Sequence, residues 1–213
     1  STGLHHAFKR APGFFDVVAY SGTGSARTLN HNLAAVPELI ISKTRNSSSY
    51  AFNVTDVSST SWGQLNGDAA FNTSFIYWNN GITSTTLSTT YAGANVDASG
   101  TNYIVLLFAT LSGISKVGTY SGTGSNVNVN CGFTAGARFV LIKRTDSSGD
   151  WYVWDSTRGI VNGNDPYLLL NSTAAEVTNT DYIDPLNAGF TVTSSAPAGL
   201  NASGGTYLFL AIA

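Results

Sequence analysis

A six-residue segment occurs twice in the chain, one hundred residues apart. The sequence Tyr-Ser-Gly-Thr-Gly-Ser occupies residues 20–25 and again residues 120–125. Six identical positions in the same order are very improbable by chance, and self-similarity at a fixed spacing is the signature of repeated structural units. The two segments therefore predict that the chain holds two copies of one unit.

Other matching segments follow each copy in the same order. They are apolar runs ending in lysine at 39–43 and 139–143, Asx-Ala-Ser-Gly segments at 97–100 and 201–204, and tyrosine-led apolar runs at 103–109 and 207–213. This order predicts a tandem duplication whose boundary lies near residues 110–113. We therefore expect three parts: a lead-in or linker at 1–13, a first repeat at 14–111 and a second repeat at 112–213.

Short β-type segments fill both predicted repeats. Residues 126–131 alternate with a period of two, as a half-buried strand does. Residues 14–20, 38–43 and 137–143 are rich in β-branched and aromatic side chains, and glycine-rich or asparagine-rich turns separate such runs. Each copy offers about seven or eight strands, which is typical of a β-sandwich or jelly roll. The predicted fold class is all-β, with two tandem, similar, jelly-roll-like β-sandwich domains.

The chain carries few charges for its length. Asp, Glu, Lys and Arg make up 10% of its 213 residues, and the formal net charge is −2, whereas soluble domains average about 25% charged residues. Ten basic side chains against twelve acidic ones leave no excess to neutralise phosphates, so we predict no nucleic-acid partner. The longest apolar runs fall far short of about 20 residues, so we also predict no membrane insertion.

Side chains suited to catalysis are scarce and scattered. The two glutamates are Glu38 and Glu176, whereas glycoside hydrolysis needs a pair of carboxylates flanking one bond. His31 is the only histidine inside a predicted repeat, and no cationic neighbour of Cys131 in the sequence would activate its thiol. These patterns predict no catalytic residues, no cofactor and no enzymatic activity. A hydrolase is the least supported of three functional hypotheses.

Two glycine-containing segments suggest ligand sites that a simple turn also explains. Residues 22–24, Gly-Thr-Gly, begin like a phosphate loop, but a strand rather than a helix is predicted to follow them, which favours a tight turn. Residues 162–165, Asn-Gly-Asn-Asp, cluster oxygen donors suited to calcium, but their spacing is not that of an EF-hand. We predict no metal site, and calcium at 162–165 stays an open alternative.

Aromatic side chains are the remaining candidates for binding. We single out Trp62, Trp78, Trp151 and Trp154, because flat rings commonly grip sugars and protein partners. Neighbouring side chains of a strand point to opposite faces, so one face of the run at 151–154 should be core. The other face would be open to water or to another subunit. Core packing, a subunit interface and a ligand platform are three alternatives for these rings.

Several segments, in a fixed order, resemble a known family. They are residues 8–18, the two Tyr-Ser-Gly-Thr-Gly-Ser segments, and residues 37–41, 143–151, 170–175 and 201–207. Together they resemble the β-rich repeat near the C-terminal end of tail-fibre and other virion proteins of tailed phages, including marine and cyanobacterial phages. The first copy departs from the pattern, since Ser49-Tyr50 stands where the second copy has Asp150-Trp151.

The resemblance implies a structural or adhesive role without catalytic residues. It implies a homo-oligomer, with a trimer favoured, that assembles with other virion proteins in the host cytoplasm and is then extracellular. We therefore expect a non-enzymatic virion structural protein, a tail-fibre or appendage segment that attaches to cell-surface glycans. The alternative from a different class is a tandem carbohydrate-binding module of an extracellular bacterial protein or adhesin.

Overall fold

The computed structural model describes residues 5–46, 53–57, 60–73, 77–78, 81–89 and 96–213. These residues form fifteen strands and one short helix, which confirms the all-β fold class. Up to residue 110 the strands are β1 (Phe15–Ser21), β2 (Thr28–Asn30), β3 (Leu39–Thr44), β4 (Asn53–Asp56), β5 (Ser61–Gln64), β6 (Thr86–Ser88) and β7 (Asn102–Phe108). Beyond it lie β8 (Ser115–Ser121), β9 (Val127–Asn130), β10 (Phe139–Arg144), β11 (Trp151–Asp155), β12 (Leu168–Leu169), β13 (Ile183–Leu186), β14 (Gly189–Val192), α1 (Ala198–Asn201) and β15 (Thr206–Ile212). No helix among the described residues is long and apolar enough to cross a membrane.

Both halves of the chain use the same strand plan. The first half builds a five-stranded sheet in the order β1-β7-β3-β4-β5, and the second builds another in the order β8-β15-β10-β11-β12. The registers also agree, since Leu39 pairs with Phe108 and Phe139 pairs with Ile212. Each half adds a smaller sheet, β2-β6 in the first and β13-β14-β9 in the second. We call the two five-stranded sheets the main sheets.

The main sheets are buried on both faces. Ile40 belongs to the apolar cluster between the first main sheet and β2-β6, whereas its neighbour Ile41 belongs to a different cluster between the two main sheets. Val140 and Leu141 divide in the same way in the second half. Alternate side chains of a strand point to opposite faces. The two halves are therefore joined face to face in one four-layer stack of sheets.

The cluster between the main sheets, which we call the middle core, draws on both halves. Its buried members are Phe15, Leu39, Ile41, Val54, Phe71, Phe108, Val117, Leu141, Trp151, Val153, Leu208 and Leu210. Burying apolar surface stabilises the folded state by roughly 25 cal/mol per Å². Because residues of both repeats are buried in this core, it holds the two repeats together as one packed body.

The two main sheets begin at the same end of the molecule. β1 starts opposite the end of β7, β8 starts opposite the end of β15, and only residues 109–114 connect β7 to β8. We call this end the base. The opposite end, where Ser21 pairs with Asn102 and Ser121 pairs with Thr206, is the tip. Seven-residue strands separate base and tip by about 23 Å.

The repeated Tyr-Ser-Gly-Thr-Gly-Ser segment forms a tight turn at the tip. In the second half, a Cβ atom on Gly122 would lie 2.3 Å from the carbonyl oxygen of Ala202. The Asn201 amide holds the turn, because its Oδ1 accepts from the Thr123 N–H at 2.9 Å and its Nδ2 donates to the Ser125 carbonyl at 2.8 Å. The two repeated segments, 120–125 and 201–204, are thus held together by hydrogen bonds. We call this arrangement the tip clasp. A strand, β9, follows this turn.

The first half builds the same clasp with a charged side chain. Asp97 stands where the second half has Asn201, and its Oδ1 accepts from the Thr23 N–H at 2.9 Å and from Arg27 Nη2 at 3.2 Å. A Cβ atom on Gly22 would lie 2.1 Å from the carbonyl oxygen of Ala98. The carboxylate has no donor, and Arg27, which pairs with it, donates instead to the Ser21 carbonyl of the same segment. Both glycine turns therefore have a structural role.

A buried lysine also links the two halves. The Lys143 side chain is 0% exposed, and its Nζ donates to the backbone carbonyls of Asp68, Ala69 and Arg144 at 3.1, 3.0 and 2.7 Å. A buried ammonium is costly unless its donors are satisfied. The three carbonyls satisfy them, so the loop after β5 is held against the second half.

This lysine predicts a pH dependence of stability. Burial lowers the pKa of Lys143 from its ordinary value of 10.5 to about 8. Between these values the unfolded chain retains a proton that the folded chain has released, so the free energy of unfolding rises with pH through this window. We expect wild type to gain on the order of 2 kcal/mol over Lys143→Met between about pH 8 and about pH 10, measured by urea denaturation. A constant difference between the two proteins would contradict this prediction.

Candidate glycan-binding cleft at Trp62

Three of the four tryptophans proposed for binding lie in the interior. Trp78 is 0% exposed, Trp151 is 1% exposed and Trp154 is 0% exposed. A ring must present a face to solvent to stack on a sugar, so these three rings form no exposed platform in this structure. Of the three alternatives drawn from the sequence, core packing describes their positions. Trp62 is only partly buried.

The packing of β11 explains why the rings at 151 and 154 are both covered. Trp151 lies in the middle core, where its Nε1 donates to the Gln64 carbonyl of the first half at 2.8 Å. Trp154 points the other way, stacks on Tyr152 at 5.8 Å between ring centroids, and donates from Nε1 to the Asp165 carbonyl at 3.3 Å. The sequence suggested that one face of this run is open. The first repeat covers that face.

Trp62 lies beside a shallow cleft on the first half. Trp62 and Gln64 share one face of β5 because they are two residues apart, and Asn72 pairs directly with Trp62 through backbone hydrogen bonds of 3.0 and 2.8 Å. The cleft has a volume of about 240 Å³. It is lined by Trp62, Gly63, Gln64, Ala69, Ala70 and Asn72.

The chemistry of this cleft suits an uncharged, hydroxyl-rich ligand. The Trp62 ring is held edge-to-face by Tyr77 at 4.9 Å between centroids, so its orientation is fixed. Gln64 and Asn72 supply amide groups that both donate and accept hydrogen bonds. None of the six lining residues that the structure describes carries a charge. An aromatic face flanked by amides can pack against the C–H face of a sugar and bind its hydroxyl groups.

At the equivalent position of the second half, a buried tyrosine replaces Trp62. The Trp62–Asn72 pair corresponds in register to the pair of Tyr167 with Val177. Tyr167 is 9% exposed, and the Tyr182 ring packs on it at 5.6 Å between centroids. A partly buried tryptophan paired with an asparagine is therefore a feature of the first copy, since Tyr167 and Val177 stand at these positions in the second. The sequence identified Trp62, but not its partner Asn72, because nothing local places residue 72 beside residue 62.

The side-chain oxygen atoms of Asn164 and Asp165 are engaged within the protein. The Asp165 carboxylate accepts from the backbone N–H groups of Tyr182 and Ile183 at 2.9–3.2 Å. Asn164 Oδ1 accepts from the Asn179 N–H at 3.0 Å. Burial raises the pKa of Asp165 to about 6. These contacts assign the segment to turn structure, and the described residues contain no group of three or more His, Cys, Asp or Glu side chains arranged to hold a metal.

The other polar residues considered from the sequence have structural surroundings. Burial raises the pKa of the Cys131 thiol to about 12, which keeps it protonated. Burial lowers the pKa of His31, whose Nδ1 accepts from the Leu33 N–H at 3.2 Å. Glu38 accepts from the Thr110 N–H at 2.6 Å, and Glu176 pairs with Arg158 at 3.4 Å.

Comparison with known proteins identifies one family. The family described as "Domain of unknown function (DUF7483)" matches residues 9–213. No curated protein and no solved structure matches the chain. The matched range includes both repeats, so the family's unit corresponds to the complete four-layer stack.

Proposed function

The chain belongs to the DUF7483 family, a domain of unknown function, and we propose that it is a non-enzymatic structural module of a virion appendage such as a tail fibre. In this role it attaches to neutral glycans of the host surface through the Trp62 cleft. The observation that supports attachment is the partly exposed Trp62 ring between the amides of Gln64 and Asn72.

The packing of the sheets supports a scaffold role. The apolar faces of both repeats are covered within the chain, and a third of the sequence is Ser, Thr or Asn, with 25, 25 and 19 residues respectively. A homo-oligomer, for which we propose a trimer, would then associate through other surfaces. β1 and β8 are edge strands of the main sheets, and edge strands offer backbone groups for pairing with another chain.

Loss of the Trp62 ring tests the attachment role. We expect Trp62→Ala to weaken binding to neutral glycans on an array about tenfold, because a flat ligand stacked on an aromatic side chain gains about 1–3 kcal/mol, the range measured for nucleic-acid bases. Trp62→Phe should retain part of the binding. Val161→Ala, which changes an exposed apolar side chain of the second half, is the matched control and should bind like wild type.

Two outcomes separate this proposal from its alternatives. Glycan binding that is unchanged in Trp62→Ala would remove the cleft as the attachment site. Glycan binding by a protein that never associates with phage particles would favour the tandem carbohydrate-binding module instead, for which the same cleft is the supporting observation. Incorporation into particles, detected by immunogold labelling, would support the virion role.

A further inference from the structure

A second cavity lies between the two main sheets, away from the Trp62 cleft. Its volume is about 240 Å³. Its walls include Ile41, Leu106 and Phe108 of the first sheet and Leu141, Val153 and Leu210 of the second. Protein interiors hold few voids larger than a water molecule, and an apolar cavity of about 150 Å³ is large enough to bind benzene. We call this cavity the slot.

A polar cleft adjoins the slot at the base. This cleft, which we call the mouth, has a volume of about 340 Å³ and shares His6, Phe8 and Phe139 with the slot. The exposed cations Lys9 and Arg138 also line it. The mouth therefore offers positive charge next to an apolar interior.

The Asp155 carboxylate of the mouth is engaged by groups of the protein itself. Asp155 lies 2.9 Å from Arg158 Nη2 and 3.3 Å from His6 Nε2. Its Oδ1 also accepts from the backbone N–H groups of Thr157 and Arg158, both at 3.0 Å. Lys9 and Arg138 are exposed at the same cleft, and a ligand carboxylate placed beside them would be attracted by their positive charge.

The lead-in segment covers the junction between mouth and slot. The Phe8 ring lies 5.5 Å from Phe108 and 5.6 Å from Phe139, measured between centroids, so it contacts one ring from each main sheet. The His6 ring packs on Phe139 at 5.1 Å. An apolar ligand entering from the mouth would pass beside these rings.

We propose that slot and mouth together bind a medium-chain aliphatic carboxylate. The slender tail lies between the two apolar sheets, and the carboxylate remains at the mouth with Lys9 and Arg138. This site is independent of the Trp62 cleft, which lies on the first half and is lined by none of the same residues.

Three small probes test separately the contributions of the ligand's apolar tail and of its carboxylate. Octanoate has the tail and the charge, octan-1-ol has the tail alone, and butyrate has the charge with a short tail. We expect octanoate to raise the Tm progressively with its concentration, as a ligand of the folded state does, and to bind saturably and at least tenfold more tightly than either other probe in calorimetry. Equal binding of octanoate and octan-1-ol, or no saturable binding of octanoate, would overturn the proposal.

Variants then locate the site. Leu210→Phe, which fills the slot, should abolish octanoate binding. Arg138→Gln should weaken octanoate about tenfold without affecting octan-1-ol, whereas Arg45→Gln, an exposed arginine at the tip, should leave both unchanged. If Leu210→Phe fails to fold, Leu170→Trp provides the blocking variant, since Leu170 lines the slot and is 41% exposed. Octanoate binding that survives the blocking variant would place the ligand elsewhere and refute the assignment.

Discussion

Replacing Gly122 by alanine is expected to lower the free energy of unfolding by about 3 kcal/mol, the upper end of the usual cost of overpacking. The added methyl group would lie 2.3 Å from the carbonyl oxygen of Ala202 and 2.9 Å from the Tyr207 ring. Since the carbonyl belongs to the backbone of the tip clasp, it cannot rotate away as a side chain would. Urea denaturation followed by circular dichroism measures the loss.

A matched glycine in an ordinary environment provides the control. A Cβ atom on Gly67 would find its nearest neighbours at 3.7 Å, which is normal van der Waals contact. Gly67→Ala should therefore change stability by less than about 0.5 kcal/mol, as most surface substitutions do. Gly22→Ala should behave like Gly122→Ala, because its Cβ atom meets the Ala98 carbonyl. If Gly122→Ala were as stable as Gly67→Ala, the clasp would not require glycine.

The tip clasps show how much a repeated motif can predict. The sequence showed that residues 20–25 and 120–125 are equivalent and indicated a turn followed by a strand, and the structure has both turns at the tip. It did not indicate why the Asx-Ala-Ser-Gly segments repeat as well. The reason is a long-range contact: Asp97 and Asn201 hold turns more than 70 residues earlier in the chain. Local propensities contain no information about such a partner.

The sequence did not predict what buries both faces of the main sheets, because this too depends on contacts between distant parts of the chain. Alternation predicts that one face of a strand is core, but the continuous apolar runs at 39–41 and 139–142 indicate two covered faces without saying what covers them. The cover is the other repeat. Once a unit is duplicated, each copy can bury its second apolar face against the other. The apolar and aromatic strand faces that suggested association between subunits are consequently used within one chain.

A candidate site could be predicted from the sequence only where it depends on a single residue or on residues close together in the chain. Trp62 was one of four tryptophans selected for their ring chemistry alone, and the sequence did not distinguish it from the three that are buried. The slot could not be predicted, because its walls come from strands of both repeats and its mouth involves the lead-in residues His6 and Phe8. Only the face-to-face packing of the main sheets brings these residues together.

Removing the Trp151 ring provides the most direct test of that packing. We expect Trp151→Ala to lower the free energy of unfolding by about 4 kcal/mol, within the range of 3–5 kcal/mol measured for large aromatic residues in cores. The ring is 1% exposed, lies 6.0 Å from Phe71 between centroids, and donates to the Gln64 carbonyl. Its loss would leave a cavity and an unsatisfied acceptor at the junction of the two halves.

Two comparisons make this result specific to the junction. Trp151→Phe keeps much of the ring and should cost about 1–2 kcal/mol, mostly from the lost hydrogen bond. Trp154→Ala should be as destabilising as Trp151→Ala, but its cavity lies in the outer core of the second half, away from the Gln64 backbone that supports the Trp62 cleft. Trp151→Ala alone should therefore weaken glycan binding in protein that is still folded.

If Trp151→Ala changed the free energy of unfolding by less than about 0.5 kcal/mol, Trp151 would behave as a surface residue. The main sheets would then not pack together in solution.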